Sequence, residues 1–167
     1  MERFVTQFAH ELQTSLHRGR RAIIIRSMMA DPNISSEAIR QRLMAIPAMQ
    51  TFGYRVEELS HGRAVLVAPY DTSLDGIFAC FHGGLLATLA DSAGGTAMLT
   101  VTGADTRMAT TDINIRFLAP CHTDARATAQ IIKAGRSLVI AEINIHDLNG
   151  RHVAVSQATY IRLRSTP

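Results

Sequence analysis

The feature that most constrains this chain is a segment between Gly83 and Gly103 that is apolar nearly all round. Leu85, Leu86, Leu89, Ala90, Ala93, Ala97 and Met98 leave no polar stripe wide enough to face water. A helix with this pattern is normally buried on most sides. With 167 residues there is material for one sizeable core. The rest of the chain therefore has to wrap this helix.

Short β-rich runs supply the wrapping. Residues 52–59 and 63–70, separated by Ser60-His61-Gly62, read as a hairpin. After Gly103, residues 106–119, 126–134, 138–147 and 152–164 form three or four further strand-like runs. Alternation is clearest at Ile113, Ile115 and Phe117 and again at Val153 and Val155. Pro120, Ala134-Gly135-Arg136 and Asn149-Gly150 mark the turns, the last being a strong hairpin signal. Consecutive hairpins imply antiparallel pairing, so the expected class is α+β, a sheet wrapped around a long central helix.

Ahead of the strands, Phe4, Val5, Phe8, Leu12 and Leu16 recur at helical spacing. Asp31-Pro32-Asn33 interrupts, and Ser35 or Ser36 with Glu37 starts another helix that runs to Pro47. The expected organisation is an N-terminal helical extension at 1–47 and one domain at 48–167.

A composition of 47% hydrophobic and 19% charged residues excludes disordered and fibrous classes. The net charge is only +3, yet arginine far outnumbers lysine, which fits a surface that meets phosphate groups. Nucleic acid or a phosphorylated cofactor handle would satisfy that preference. Cys80 and Cys121 are isolated and have no CxxC partner, and the histidines show no metal spacing, so no metal is expected. No leader and no membrane-spanning run is read, and a reducing cytoplasm is the expected setting.

Asp91 is the anomaly. It is a carboxylate in a greasy, small-residue helix with no Arg or Lys within a turn, and burying such a group costs several kcal/mol unless it is paired or put to use. Ala87, Thr88, Gly94 and Gly95 flank it and leave room for a ligand. Nine residues earlier, His82-Gly83-Gly84 opens the helix, where free backbone N–H groups and the positive dipole end suit an oxyanion. Nine residues span roughly 13 Å of helix, too far for both groups to reach one carbonyl unless the helix start bends or a second subunit supplies one of them.

The run His82-Gly83-Gly84, then Leu89, Asp91 and Ala97, resembles the central-helix signature of the hotdog-fold acyl-CoA thioesterases of the PaaI-like, phenylacetate-pathway type. Ala109 through Pro120, with Asp112, Asn114 and the closing proline, is similar to the strand that follows the helix in that family. The resemblance spans residues 52–164. It implies a hotdog fold and hydrolysis of an acyl-coenzyme A thioester by a homodimer or homotetramer with its site at the subunit interface. Coenzyme A would enter only as part of the substrate. It further implies Asp91 as general base or nucleophile, the Gly83 or Gly84 N–H as carbonyl polariser, His82 shaping the carbonyl pocket and Thr110 steering water. Gly84, Thr88 and Asn114 would contact substrate, with Arg136 or Arg151 meeting the coenzyme A phosphates. The chain departs from the family at Gly76 and Ala79, where members often carry asparagine and glycine, and this bears on substrate choice.

Two other functions fit parts of the sequence. An acyl-CoA-sensing regulator would use the basic stretch His17-Arg18-Gly19-Arg20-Arg21, but a DNA reader needs a further recognition helix where Pro47 leads into strand, so no nucleic acid partner is expected. A hydratase or dehydratase would need His82 and Asp91 as an acid/base pair, which their spacing disfavours.

Overall fold

A computed structural model describes residues 34–163. The apolar stripe at Phe4 to Leu16 and the basic stretch at 17–21 lie outside these residues. Among the described residues two short helices come first, α1 at Ser36–Met44 and α2 at Pro47–Thr51. They are followed by β1 at Arg55–Ser60, β2 at Arg63–Ala68 and the long helix α3 at Gly83–Thr102. Four strands then follow: β3 at Met108–Phe117, β4 at Ala125–Ala134, β5 at Leu138–Asp147 and β6 at His152–Arg162.

All six strands form one antiparallel sheet in the order β1-β2-β4-β5-β6-β3. The expected α+β hotdog arrangement is what the chain adopts. The sheet's inner face is made of small and branched residues: Ala64 and Leu66 on β2, Ala125, Ala127 and Ala129 on β4, and Val139, Ala141, Ile143 and Ile145 on β5. The alanines let α3 lie close, and Leu86, Leu89, Ala90, Ala93, Ala97 and Met98 are buried against them. At roughly 25 cal/mol per Å² this apolar burial is the main stabilising contribution.

Two local features differ from the sequence reading. The second helix stops at Met44, and Pro47 opens α2 at its first position, where a missing N–H costs nothing. Phe52 therefore closes a helix, and β1 begins only at Arg55. Ser35 caps α1 by accepting from the Ala38 N–H at 3.2 Å, and Ile39 and Leu43 of α1 join the main core. Arg42 donates to the carbonyls of Ala104 and Thr106, tying α1 to the segment that follows α3.

Candidate active site

Helix α3 begins at a built N-terminus. His82 is its N-cap, and the imidazole Nδ1 accepts from the Gly84 N–H at 3.0 Å. Both glycines have steric reasons: a Cβ on Gly84 would meet His82 Nδ1 at 3.0 Å, and one on Gly83 would meet the Phe117 ring at 3.2 Å. Because Nδ1 accepts, a neutral His82 carries its proton on Nε2. The Gly84 amide is thus engaged inside the chain, which corrects its expected availability to a ligand. The Gly83 N–H has no partner among the described residues, and Gly83 lines a cleft of about 370 Å³ together with Cys80, Phe81, Leu86 and residues 117–121.

Two turns further along, Asp91 is half-buried rather than sealed in the core, which corrects the expectation of a buried acid. Gly84, Thr88 and Asp91 follow one another at four- and three-residue steps and so share one face of α3, which is exposed to half-buried. Thr88 turns its hydroxyl back to the Gly84 carbonyl at 2.9 Å. The Asp91 carboxylate accepts from the Thr110 hydroxyl at 2.8 Å and forms no ion pair among the described residues.

Thr110 reaches Asp91 because of a β-bulge. Along β3, Thr110 pairs with Tyr160, but the register slips before Asp112, which pairs with Thr159. The extra residue puts Thr110 in phase with Ile113 and Ile115 on the helix-facing side and sends Asp112 and Asn114 to the opposite face. Asn114 pairs with Gln157 there, and its side-chain oxygen accepts from Arg116 at 2.6 Å. The structure therefore does not bring Asn114 to the carboxylate. Simple alternation, which groups 110, 112 and 114 together, conceals both facts.

The glycines at 94 and 95 serve packing rather than ligand space, which corrects the sequence reading. Gly94 lies against the Tyr160 hydroxyl and ring, and a Cβ on Gly95 would meet Met108 at 3.0 Å. Tyr160 donates its hydroxyl to the Asp91 main-chain carbonyl at 2.9 Å, so β6 fixes the turn of helix that carries the acid. Burial, reinforced by the nearby Asp91 charge, pushes the Tyr160 phenol well above its ordinary range. Sequence reasoning missed Tyr160; the only signal was two small residues one turn beyond Asp91.

Of the arginines singled out, Arg136 is exposed on the β4–β5 turn. Arg151 lines a second hollow of about 440 Å³ with Pro120, His122, Thr123, Asp147, Asn149 and Gly150. Pro120 also borders the cleft at Gly83, so the two hollows adjoin. His152 and His61 are half-buried, each with one buried ring nitrogen lacking a partner among the described residues, and His152 stacks on His146 at 4.6 Å.

A six-stranded antiparallel sheet wrapped around one long helix is the hotdog arrangement, and here the helix carries a half-buried carboxylate. Residues 79–154 match the thioesterase superfamily. The chain is 28% identical to a thioesterase family protein from Silicibacter pomeroyi, with a TM-score of 0.73 over 78% of this chain and 98% of that one. The PaaI protein of the E. coli phenylacetic acid degradation operon shares the fold at 22% identity and a TM-score of 0.71, over 78% and 97% of the two chains. A Halobacterium salinarum protein provisionally named an esterase is 34% identical over 98 residues, 56% of this chain and 65% of that relative's length.

Proposed function

We propose that this chain hydrolyses acyl-coenzyme A thioesters to the free acid and coenzyme A, as a cytoplasmic homodimer or homotetramer whose site is completed between subunits. The observation that carries the reading is the Asp91 carboxylate held by Thr110 on the open face of α3, with no cation to neutralise it among the described residues. Held this way, Asp91 either removes a proton from water or attacks the acyl carbon itself, and Thr110 fixes which oxygen is presented. The carbonyl oxygen takes up negative charge as the bond to the nucleophile forms, and an N–H donor such as that of Gly83 stabilises it before the thiol departs.

Gly83 and Asp91 of one helix cannot serve the same carbonyl. Eight residues separate them, roughly 12 Å along the axis. Helix α3 is continuous from Gly83 to Thr102, so no bend at its start closes the gap. A second copy is needed to set its Gly83 amide beside this Asp91. Coenzyme A phosphates would find Arg151 in the hollow that adjoins the Gly83 cleft. His82 as half of a hydratase acid/base pair is disfavoured, since its Nδ1 is committed to the helix cap.

The test is thiol release from short-chain, long-chain and aryl acyl-CoAs by the wild type and by Asp91→Ala. Loss of the base is expected to lower kcat by roughly 10²–10⁴-fold. Turnover retained in the variant would remove Asp91 from the chemistry.

A further inference from the structure

The segment just ahead of α3 is a tight hairpin whose tip is apolar. Asp75 pairs with Phe81, the Gly76 N–H donates to the Cys80 carbonyl at 2.8 Å, and the Ala79 N–H donates to the Gly76 carbonyl at 3.1 Å. Ala79 takes a positive φ of 50°, which a non-glycine residue adopts only when its surroundings hold it there. Those surroundings are visible: the Tyr70 hydroxyl donates to Asp75 at 3.0 Å, and His122 Nδ1 lies 3.2 Å from the Ala79 carbonyl. At the tip, Ile77 and Phe78 are 92% and 83% exposed. Two adjacent large apolar side chains on a braced turn have no role in this subunit's own core.

The same brace reaches the Gly83 amide. The Phe81 N–H donates to the Cys121 carbonyl at 2.8 Å, and Phe81 is buried only two residues before Gly83. Tip and amide are thus parts of one pinned unit. Any arrangement that sets the Gly83 amide of a second copy beside Asp91 carries that copy's tip to the same neighbourhood. The face awaiting it carries Gly84, which is exposed, and Thr88 and Asp91, which are half-buried.

We infer that Ile77 and Phe78 of one subunit cover the Thr88–Asp91 face of a second copy of this chain and form the apolar wall against which the acyl group lies. This rests on the site being shared between subunits, as proposed above. It gives the turn a function in trans: the tip excludes water from the far side of the thioester and limits acyl size. The departure at Gly76 and Ala79 alters the shape of this tip, and so acts on substrate choice through the neighbouring subunit.

The experiment places the photoreactive residue p-benzoylphenylalanine at position 78 of the full-length protein, mixed with heavy-isotope-labelled wild-type chains. Irradiation is expected to give mixed-isotope peptide pairs that join position 78 to the 84–95 segment of another chain. Products confined to one chain, or to partner peptides away from α3, would overturn the inference. A second readout mixes Phe78→Asp subunits with Asp91→Ala subunits. Each homodimer is expected to be at least tenfold impaired, while a hybrid regains one intact site, so a statistical mixture recovers about one quarter of wild-type turnover. No recovery would place tip and acid in the same subunit and also overturn it. Cross-links in trans without any acyl-CoA turnover by the wild type would reject the thioesterase reading and leave the interface standing; turnover without those cross-links would do the reverse.

Discussion

Replacing Gly94 by alanine tests whether Tyr160 sets the height of the helix that carries Asp91. A Cβ at this position would overlap the Tyr160 hydroxyl, and it would stand 3.0 Å from Cζ and 3.2 Å from Cε2 of the ring. The hydroxyl cannot simply swing aside, because it is part of a buried ring and donates to the Asp91 carbonyl. Overpacking of this kind costs about 1–3 kcal/mol. Removing a helical glycine returns at most about 1 kcal/mol. The net expectation is a loss of about 0–2 kcal/mol, toward the upper end because the overlapped hydroxyl is held in place. Tyr160→Phe alone removes one hydrogen bond at a cost of about 0.5–1.5 kcal/mol, toward the lower end because the Asp91 carbonyl keeps its helical partner. In the Tyr160→Phe background the worst overlap is gone while the tight contacts to Cζ and Cε2 remain, so Gly94→Ala should cost less, and the double variant should be more stable than the two losses added together by about 1 kcal/mol. Urea unfolding of the four proteins measures all the terms. Additive losses would refute the packing argument.

Two further predictions follow from the same site. Thr110→Val should lower kcat about tenfold or more with little change in KM, while Thr110→Ser restores it, since the hydroxyl acts through the carboxylate it holds. The three tyrosines should all ionise above their ordinary value: burial pushes Tyr54 to about 12, a hydrogen bond to the Asp75 carboxylate pushes Tyr70 to about 12, and burial with the Asp91 charge raises Tyr160. The neutral phenols are the folded form's preference, so their contribution to stability is complete below pH ~10 and is lost as pH climbs through the raised values. Phenolate absorbance of the folded protein that rises at the ordinary value would contradict the burial of Tyr54 and Tyr160 and the Tyr70–Asp75 hydrogen bond.

The central helix and the antiparallel sheet were legible because their patterns are long. A run apolar on all sides admits only a buried helix, and each strand boundary carried a turn marker that the structure uses. Gly62 and Gly150, for example, take positive φ values of 74° and 80°. Pro47 was legible in principle, since a proline opens a helix as readily as it ends one, and choosing between the two depends on packing. The site was only half readable. Asp91 stands out by type, but its partner is placed by a bulge, and a single inserted residue leaves no mark on the alternation it disrupts. The engagement of the Gly84 amide by His82 depends on a side-chain rotamer, which spacing does not encode.

Strand β3 ends the sheet, and nine of its ten residues pair with β6 along one edge only. Nearly all of its side chains are exposed. A border of that length with open amides and carbonyls is adhesive toward any extended chain. In a lone subunit only Asp112 and Arg116 bring charge to this rim. Wherever that rim is left uncovered, crowding or heating therefore favours edge-to-edge growth into fibrous aggregates.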